Sequence, residues 1–420
     1  MMIKKDRYLS VTITRIFMKF IGFWYVETWR EQMFLHLALG YAIVAICFAI
    51  LVEVVDLYHC LGDFYALTYN LCATMLLVMI LVKFGNFIYY RGVVLKLIRY
   101  AEDNFWKVEY DKISAKILED YDRRGVFMTY SFTLIVQLAT FNYIVAPLFG
   151  ENETDRVLPF KLWVNLPIKV TPYYEITYTI QVTQFLRRNV TSTRLHSYGS
   201  LSTFHSGICT FCFDNFICTF NIHVAAQLKI LAHRLEMISE RYISSMTNGT
   251  SMSIEEAGQL ALIDLRDCVL QHRALISYVE EMERVFTVIL FGQLTLSSLV
   301  ICFGGFQFLV MLVRKCIFAI YFTGSLSQLL IYTWTCNDII VQSSGLSEAV
   351  YNSRWYLVPN DGKGKALKYG VSMIILRSRR PCALTAGGFA IMSLETFTGV
   401  SILSTSMSYF TLLRQMSEEE

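Results

Sequence analysis

The chain has 420 residues, of which 55% are hydrophobic and 17% charged, and its mean hydropathy is +0.44. A soluble domain of that length cannot enclose so much apolar surface, so the composition is that of a polytopic membrane protein with the lipid bilayer as its first partner. The net charge of +3 is too small to suggest a nucleic-acid partner.

The first thirty residues hold Lys4, Lys5, Arg7, Arg15, Lys19 and Arg30 and no sustained apolar core, so no cleavable signal peptide is expected and the first span serves as its own signal. Ile13 to Trp29 interleaves Phe17, Phe20, Phe23, Trp24, Tyr25 and Trp29 with bases, which predicts a short helix lying at the membrane surface. Segments near the bilayer-crossing length of about 20 residues then run over 33–55, 64–84, 126–149, 201–227, 286–313, 316–340 and 389–413. An all-α membrane protein with seven transmembrane helices is predicted. Most Lys and Arg residues fall before the first span and between spans 2 and 3, 4 and 5, and 6 and 7, which predicts a cytoplasmic amino terminus and an extracellular carboxyl terminus. With that orientation the sequon at Asn152 faces the lumen and is the expected glycosylation site, while the one at Asn248 is cytoplasmic.

The organisation that follows is a cytoplasmic segment over 1–32, six helices with cytoplasmic extensions over 33–340, a cytoplasmic loop and helix over 341–388, and a seventh helix with an extracellular end over 389–420. Between spans 4 and 5, Ser253 to Glu256 reads as a capping box. Beyond it Leu262, Leu265, Val269, His272, Ile276 and Val279 recur at steps of 3 and 4, a packing seam in which His272 is read as a hydrogen-bonded core histidine. Cys209-x-x-Cys212 is the one metal-like spacing; His205 and His223 lie nearby, but no second Cys or His pair follows at zinc-finger distance, and no metal or cofactor is predicted. No phosphate-binding Gly-rich loop, Gly-x-Ser-x-Gly elbow or His-Glu-x-x-His occurs, so neither catalytic residues nor an enzyme is expected.

The last span carries a stripe. Thr398, Ser401, Thr405, Ser408, Leu412 and Gln415 lie at steps of 3 and 4 on one face of a helix predicted over 392–416. Such a face either lines water, with Leu412 as a narrow dry ring, or lets neighbouring helices approach closely.

Leu346 to Tyr356, Leu376 to Pro381 with Leu384 to Gly387, Ser393 to Phe397 and Ser408 to Arg414 together resemble the carboxyl-terminal signature of insect odorant receptors, in order and in spacing. Ile21 to Trp24 and Tyr174 to Tyr178 are weaker echoes. The resemblance implies a subunit of a ligand-gated, non-selective cation channel, a heterotetramer with the shared odorant co-receptor, at the plasma membrane of olfactory sensory neuron dendrites. Carried over by position, the gate is Leu412, with Thr411 and Gln415 beside it, Ser408 and Thr405 continuing the pore and Glu395 at its inner mouth. The family's pocket for small volatile ligands lies in the outer half of the bundle, which by depth places Tyr69, Gln137, Phe141, Ile144, Tyr178, Phe322 and Ser325 around it. The chain departs from the family pattern twice: Leu186 to Ser200 reads as an insertion in the fourth helix, and Arg314-Lys315 replaces a longer loop. An insect gustatory receptor shares the fold and is the near alternative; a transporter is the alternative from another class.

Overall fold

The computed structural model describes the chain except residues 1–7, 27, 63, 146–197, 241–242, 244–253, 311–314 and 400–420. Ten α-helices are described: α1 Leu9–Phe20, α2 Trp29–His59, α3 Phe64–Tyr89, α4 Arg91–Ala101, α5 Lys112–Val145, α6 Tyr198–Glu236, α7 Ile254–Val310, α8 Lys315–Asn352, α9 Gly362–Ser378 and α10 Leu394–Thr398. A π-helical turn Glu102–Trp106 follows α4, and two short strands, β1 Thr385–Ala386 and β2 Ala390–Ile391, precede α10.

The centre is α6. Its residues from Phe211 to Leu228 are all buried, and α8, α5, α2, α7 and α1 pack around it. Phe213, Phe216 and Phe220 on this helix pack mostly edge-on with Phe84, Phe87, Trp106 and Phe286 from the elements around it, a ring cluster that fills the core. The outer helix α2 is the reverse case: Phe34, Leu37, Val44 and Leu51 are exposed along it. An apolar face of that extent calls for lipid or a partner subunit to cover it. Among the described residues four helices are long and apolar enough to cross a membrane, within Trp29–His59, Asn70–Tyr89, Ile208–Glu236 and Glu255–Ile301. Residues 126–145 of the predicted span 126–149 fall on α5, with 146–149 outside the described residues, and the span 316–340 falls on α8.

Helix α7 runs for 57 residues without a break, about 86 Å at 1.5 Å per residue. It carries the predicted seam: Leu265, His272 and Val279 are buried, with Leu262, Val269 and Ile276 half-buried. Helices α9 and α8 pack on it, and Arg234 of α6 donates to the Gln271 side chain at 3.1 Å. The capping box begins at Ser253, outside the described residues.

Four expectations need correction. The short helix predicted over Ile13 to Trp29 has other bounds: it is α1, which starts at Leu9 and ends at Phe20 because Gly22 turns the chain left-handed (φ +85) and the Phe23 N–H bonds back to the Met18 carbonyl. A Cβ on Gly22 would stand 2.4 Å from the Leu35 carbonyl oxygen. One face of α1, Ser10, Val11, Thr14 and Met18, packs inward, and Phe23 and Trp24 enter the core. The seventh helix does not start at Phe389 or Met392: Thr385 pairs with Ile391 and Ala386 with Ala390 in an antiparallel hairpin turned by Gly387 (φ +67) and Gly388 (φ +81). The Ser393 hydroxyl then accepts from the Thr396 N–H at 3.2 Å and opens α10 at Leu394. Finally, Tyr198 to Ser200, assigned to an insertion, form the first turn of α6, and α8 continues past Ile340 to Asn352.

Candidate functional site

In α6 the polar residues Asn215, Thr219 and His223 recur every fourth position, so they share one face. That face meets Ser10 and Thr14 of α1, themselves four apart. Asn215 Nδ2 donates to Thr14 Oγ1 at 2.7 Å, Thr14 and Thr219 hydroxyls lie 2.9 Å apart, and Ser10 Oγ is 3.1 Å from His223 Nε2. Helix α5 closes the ladder: Thr129 Oγ1 donates to Asn215 Oδ1 at 2.6 Å. Its Asp122 takes the Ser10 hydroxyl at 2.5 Å and the Leu9 and Ser10 backbone N–H groups at 3.1 and 3.0 Å. Since Tyr8 offers no side-chain cap, Asp122 satisfies the first turn of α1 from a neighbouring helix and sets a negative charge at its positive end. Ser10 here lies between carboxylate and imidazole, whereas a nucleophilic triad needs the imidazole in the middle; with the serine fully buried, the arrangement holds helices together.

A second polar face of α6 points at α3 and α8. The Asp214 carboxylate pairs with the Lys83 ammonium of α3, both buried, and accepts Tyr332 OH and Gln328 Nε2 of α8, each at 2.5 Å. Lys83 Nζ also sits 5.7 Å from the Tyr332 ring centroid. Beside the pair is a recess among α5, α6 and α8, bordered by Met128, Thr129, Phe132, Asp214, Gln328 and Tyr332. It encloses about 340 Å³ including its open mouth, but most of that is narrow interstice, and the interior has room for about one water molecule. It is too tight for a molecule of ten heavy atoms.

The predicted pocket residues separate. Ser325 is buried and Phe322 half-buried on α8, three and six residues before Gln328, so both lie one to two turns along the same helix. Gln137 is exposed on α5. Tyr69, Phe141 and Ile144 belong to α3 and α5, but their side chains are outside the described set, as are Tyr178 and Asn152 altogether. Glu395 is exposed in the first turn of α10. Thr405, Ser408, Thr411, Leu412 and Gln415 fall outside the described residues. Among the described residues no group of three His, Cys, Asp or Glu could hold a metal, and Cys209 and Cys212 are buried free thiols. The helix predicted over 392–416 is interrupted, since α10 ends at Thr398 with Gly399 extended (ψ 135), which separates Thr398 from the rest of the predicted stripe. The hairpin and α10 are held firmly: Glu283 of α7 accepts the Thr385 N–H at 2.8 Å and its hydroxyl, Gly387 N–H bonds the Thr287 carbonyl, and Leu394 N–H meets Asn337 Oδ1 at 3.4 Å.

The family model described as 7tm Odorant receptor matches residues 188–407, just over half of the chain. The chain belongs to the insect odorant receptor family. Odorant receptor 13a of Drosophila melanogaster is 26% identical over 97% of this chain and 96% of its own. Odorant receptor Or2 of Anopheles gambiae is 24% identical over 71% of each. In structure, the olfactory receptor OR5 of Machilis hrabei, solved with eugenol, superposes with TM-score 0.74 over 97% of both chains at 15% identity. The fold is therefore that of the odorant receptors, and this receptor is an all-α, multi-pass membrane protein. The resemblance read from Leu346 to Arg414 pointed to the right family, ahead of the gustatory and transporter alternatives. What sequence reading missed was the Lys83–Asp214 pair, although two opposite charges inside apolar spans are a signal.

Proposed function

We propose that this odorant receptor is the tuning subunit of an odorant-gated, non-selective cation channel assembled with the shared co-receptor. The observation that supports it most is how the seventh segment begins. Ser393, Asn337 and the hairpin on Glu283 fix the first turn of α10, which displays Glu395, and beyond Gly399, whose extended backbone (ψ 135) ends α10, the small polar residues Ser401, Thr405 and Ser408 follow in the sequence. An acidic residue at the mouth of such a stripe concentrates cations, and Leu412 would be the hydrophobic constriction, flanked by Thr411 and Gln415. Seven crossings with a cytoplasmic amino terminus, a glycan at Asn152 and a position in the sensory dendrite membrane complete the reading. Small volatile compounds bind between the outer halves of the helices, at Phe322 and Ser325 of α8 together with the expected Tyr69, Phe141, Ile144 and Tyr178. The OR5 relative solved with eugenol supports a ligand of that size and chemistry.

The test is current in cells expressing this receptor with the co-receptor. Eugenol and a panel of volatile esters, alcohols and ketones should evoke cation current in the pair and none from this receptor alone. Leu412→Ser should raise basal current or alter gating at equal surface level. A receptor that reaches the surface with the co-receptor and carries no current beyond that of the co-receptor alone would defeat the reading.

A further inference from the structure

We infer that the Lys83–Asp214 pair, with Gln328 and Tyr332, is the positioning element that holds α3, α6 and α8 in their closed arrangement and sets how readily this receptor opens; the inference rests on the channel reading above. A fully buried ion pair is poor evidence of a stabilising role, because desolvating both charges offsets most of their attraction and apolar replacements are often neutral. What such a pair does give is geometry, since each partner tolerates one placement of the other. Here the geometry joins three helices at one carboxylate: Lys83 comes from α3, which otherwise packs mainly on α2 and α7, while Gln328 and Tyr332 come from α8.

The cluster is not itself a ligand site. Asp214 Oδ1 is taken by Lys83 and Tyr332 and Oδ2 by Gln328, and neighbouring Asn215 is taken by Thr129 and Thr14. Both carboxylate oxygens are therefore engaged, and the recess admits about one water. Its place matters instead. Ser325 and Phe322 stand one to two turns along α8 from Gln328, so helices that part to admit a volatile ligand there must move against the junction just beyond it. Weakening the junction therefore favours the parted arrangement, with or without ligand.

The test removes both charges at once, so that neither is stranded: Lys83→Met with Asp214→Asn, the amide oxygen still accepting from Tyr332 or Gln328. Receptor and co-receptor are expressed together, surface protein is labelled, and current is read without odorant and across concentrations of the panel above. The double variant should show raised basal current per surface receptor and a half-maximal concentration lowered about fivefold or more, in the usual range of coupling between sites. The exchanged pair, Lys83→Asp with Asp214→Lys, should return both toward wild type. Unchanged basal current and unchanged half-maximal concentration in the double variant at equal surface level would reduce the cluster to packing. Failure of the double variant to reach the surface, while the exchanged pair traffics and gates normally, would show that the charges serve folding and would likewise overturn the inference. If wild-type receptor gives no current beyond the co-receptor, the channel reading falls first and this inference with it.

Discussion

Two carboxylates in this receptor do similar work at different depths, and their partners differ accordingly. Asp214 is buried at the centre of the bundle and is met by an ammonium, a phenol and an amide. Glu283, half-buried where the β-hairpin docks on α7, takes, among the described residues, the backbone N–H and hydroxyl of Thr385. Water still reaches the second group and supports its charge, so neutral donors suffice; the first has no such support and needs a countercharge from another helix. Depth thus decides whether a joint is made by an ion pair or by a cap.

The comparison breaks most visibly with single substitutions. Lys83→Met strands the Asp214 charge in the interior and should cost about 3–5 kcal/mol, enough to abolish surface protein in a cell-labelling assay. Thr385→Val removes one hydroxyl donor from Glu283 but leaves the backbone N–H in place, a loss of about 1.5–3 kcal/mol, and should leave a surface pool that unfolds at lower temperature in detergent. Equal surface levels of the two variants would contradict the depth argument.

A smaller effect isolates the hairpin. Gly387 has φ +67, and an added Cβ would come 2.8 Å from the Phe389 ring. That ring is exposed and can swing aside, so Gly387→Ala should cost chiefly its left-handed backbone, about 1–2 kcal/mol. The measurement is the melting midpoint of purified receptor; a drop clearly larger than that of Thr385→Val would mean the ring cannot yield.

These joints also mark where sequence reading succeeded and where it ran out. Helix content, the α7 seam and the carboxyl-terminal family signature were legible, because periodicity and composition are local. The hairpin was not: Phe389-Ala390-Ile391-Met392 is a short apolar run that periodicity alone cannot assign to strand or helix, and it was absorbed into the seventh span. Gly387-Gly388 was the available signal, a turn directly before that run. Of the interior pair, Lys83 and Asp214 could each have been flagged, but their meeting across 131 residues is tertiary. The stripe ending at Gln415 and most of the expected pocket lie beyond the described side chains, so the structure places the short helix α10 rather than the gate.

The smallest effect concerns the inner bundle, where His272 belongs to the seam between α7 and α9, 14 residues before the predicted fifth span. Burial, and then the Arg377 guanidinium of α9, push its pKa below the ordinary value. A histidine whose folded pKa is depressed binds its proton more readily when unfolded, so the unfolded state gains on acidification. Its contribution is constant above the unfolded pKa near 6.5 and turns destabilising as pH falls below it. Purified receptor should therefore melt at lower temperature at about pH 5.5 than at pH 7.5, and His272→Gln should shrink that difference while leaving the Lys83–Asp214 junction untouched. A pH dependence of unfolding that is the same in wild type and His272→Gln would show that acid acts on other groups and that the seam is insensitive to its one histidine.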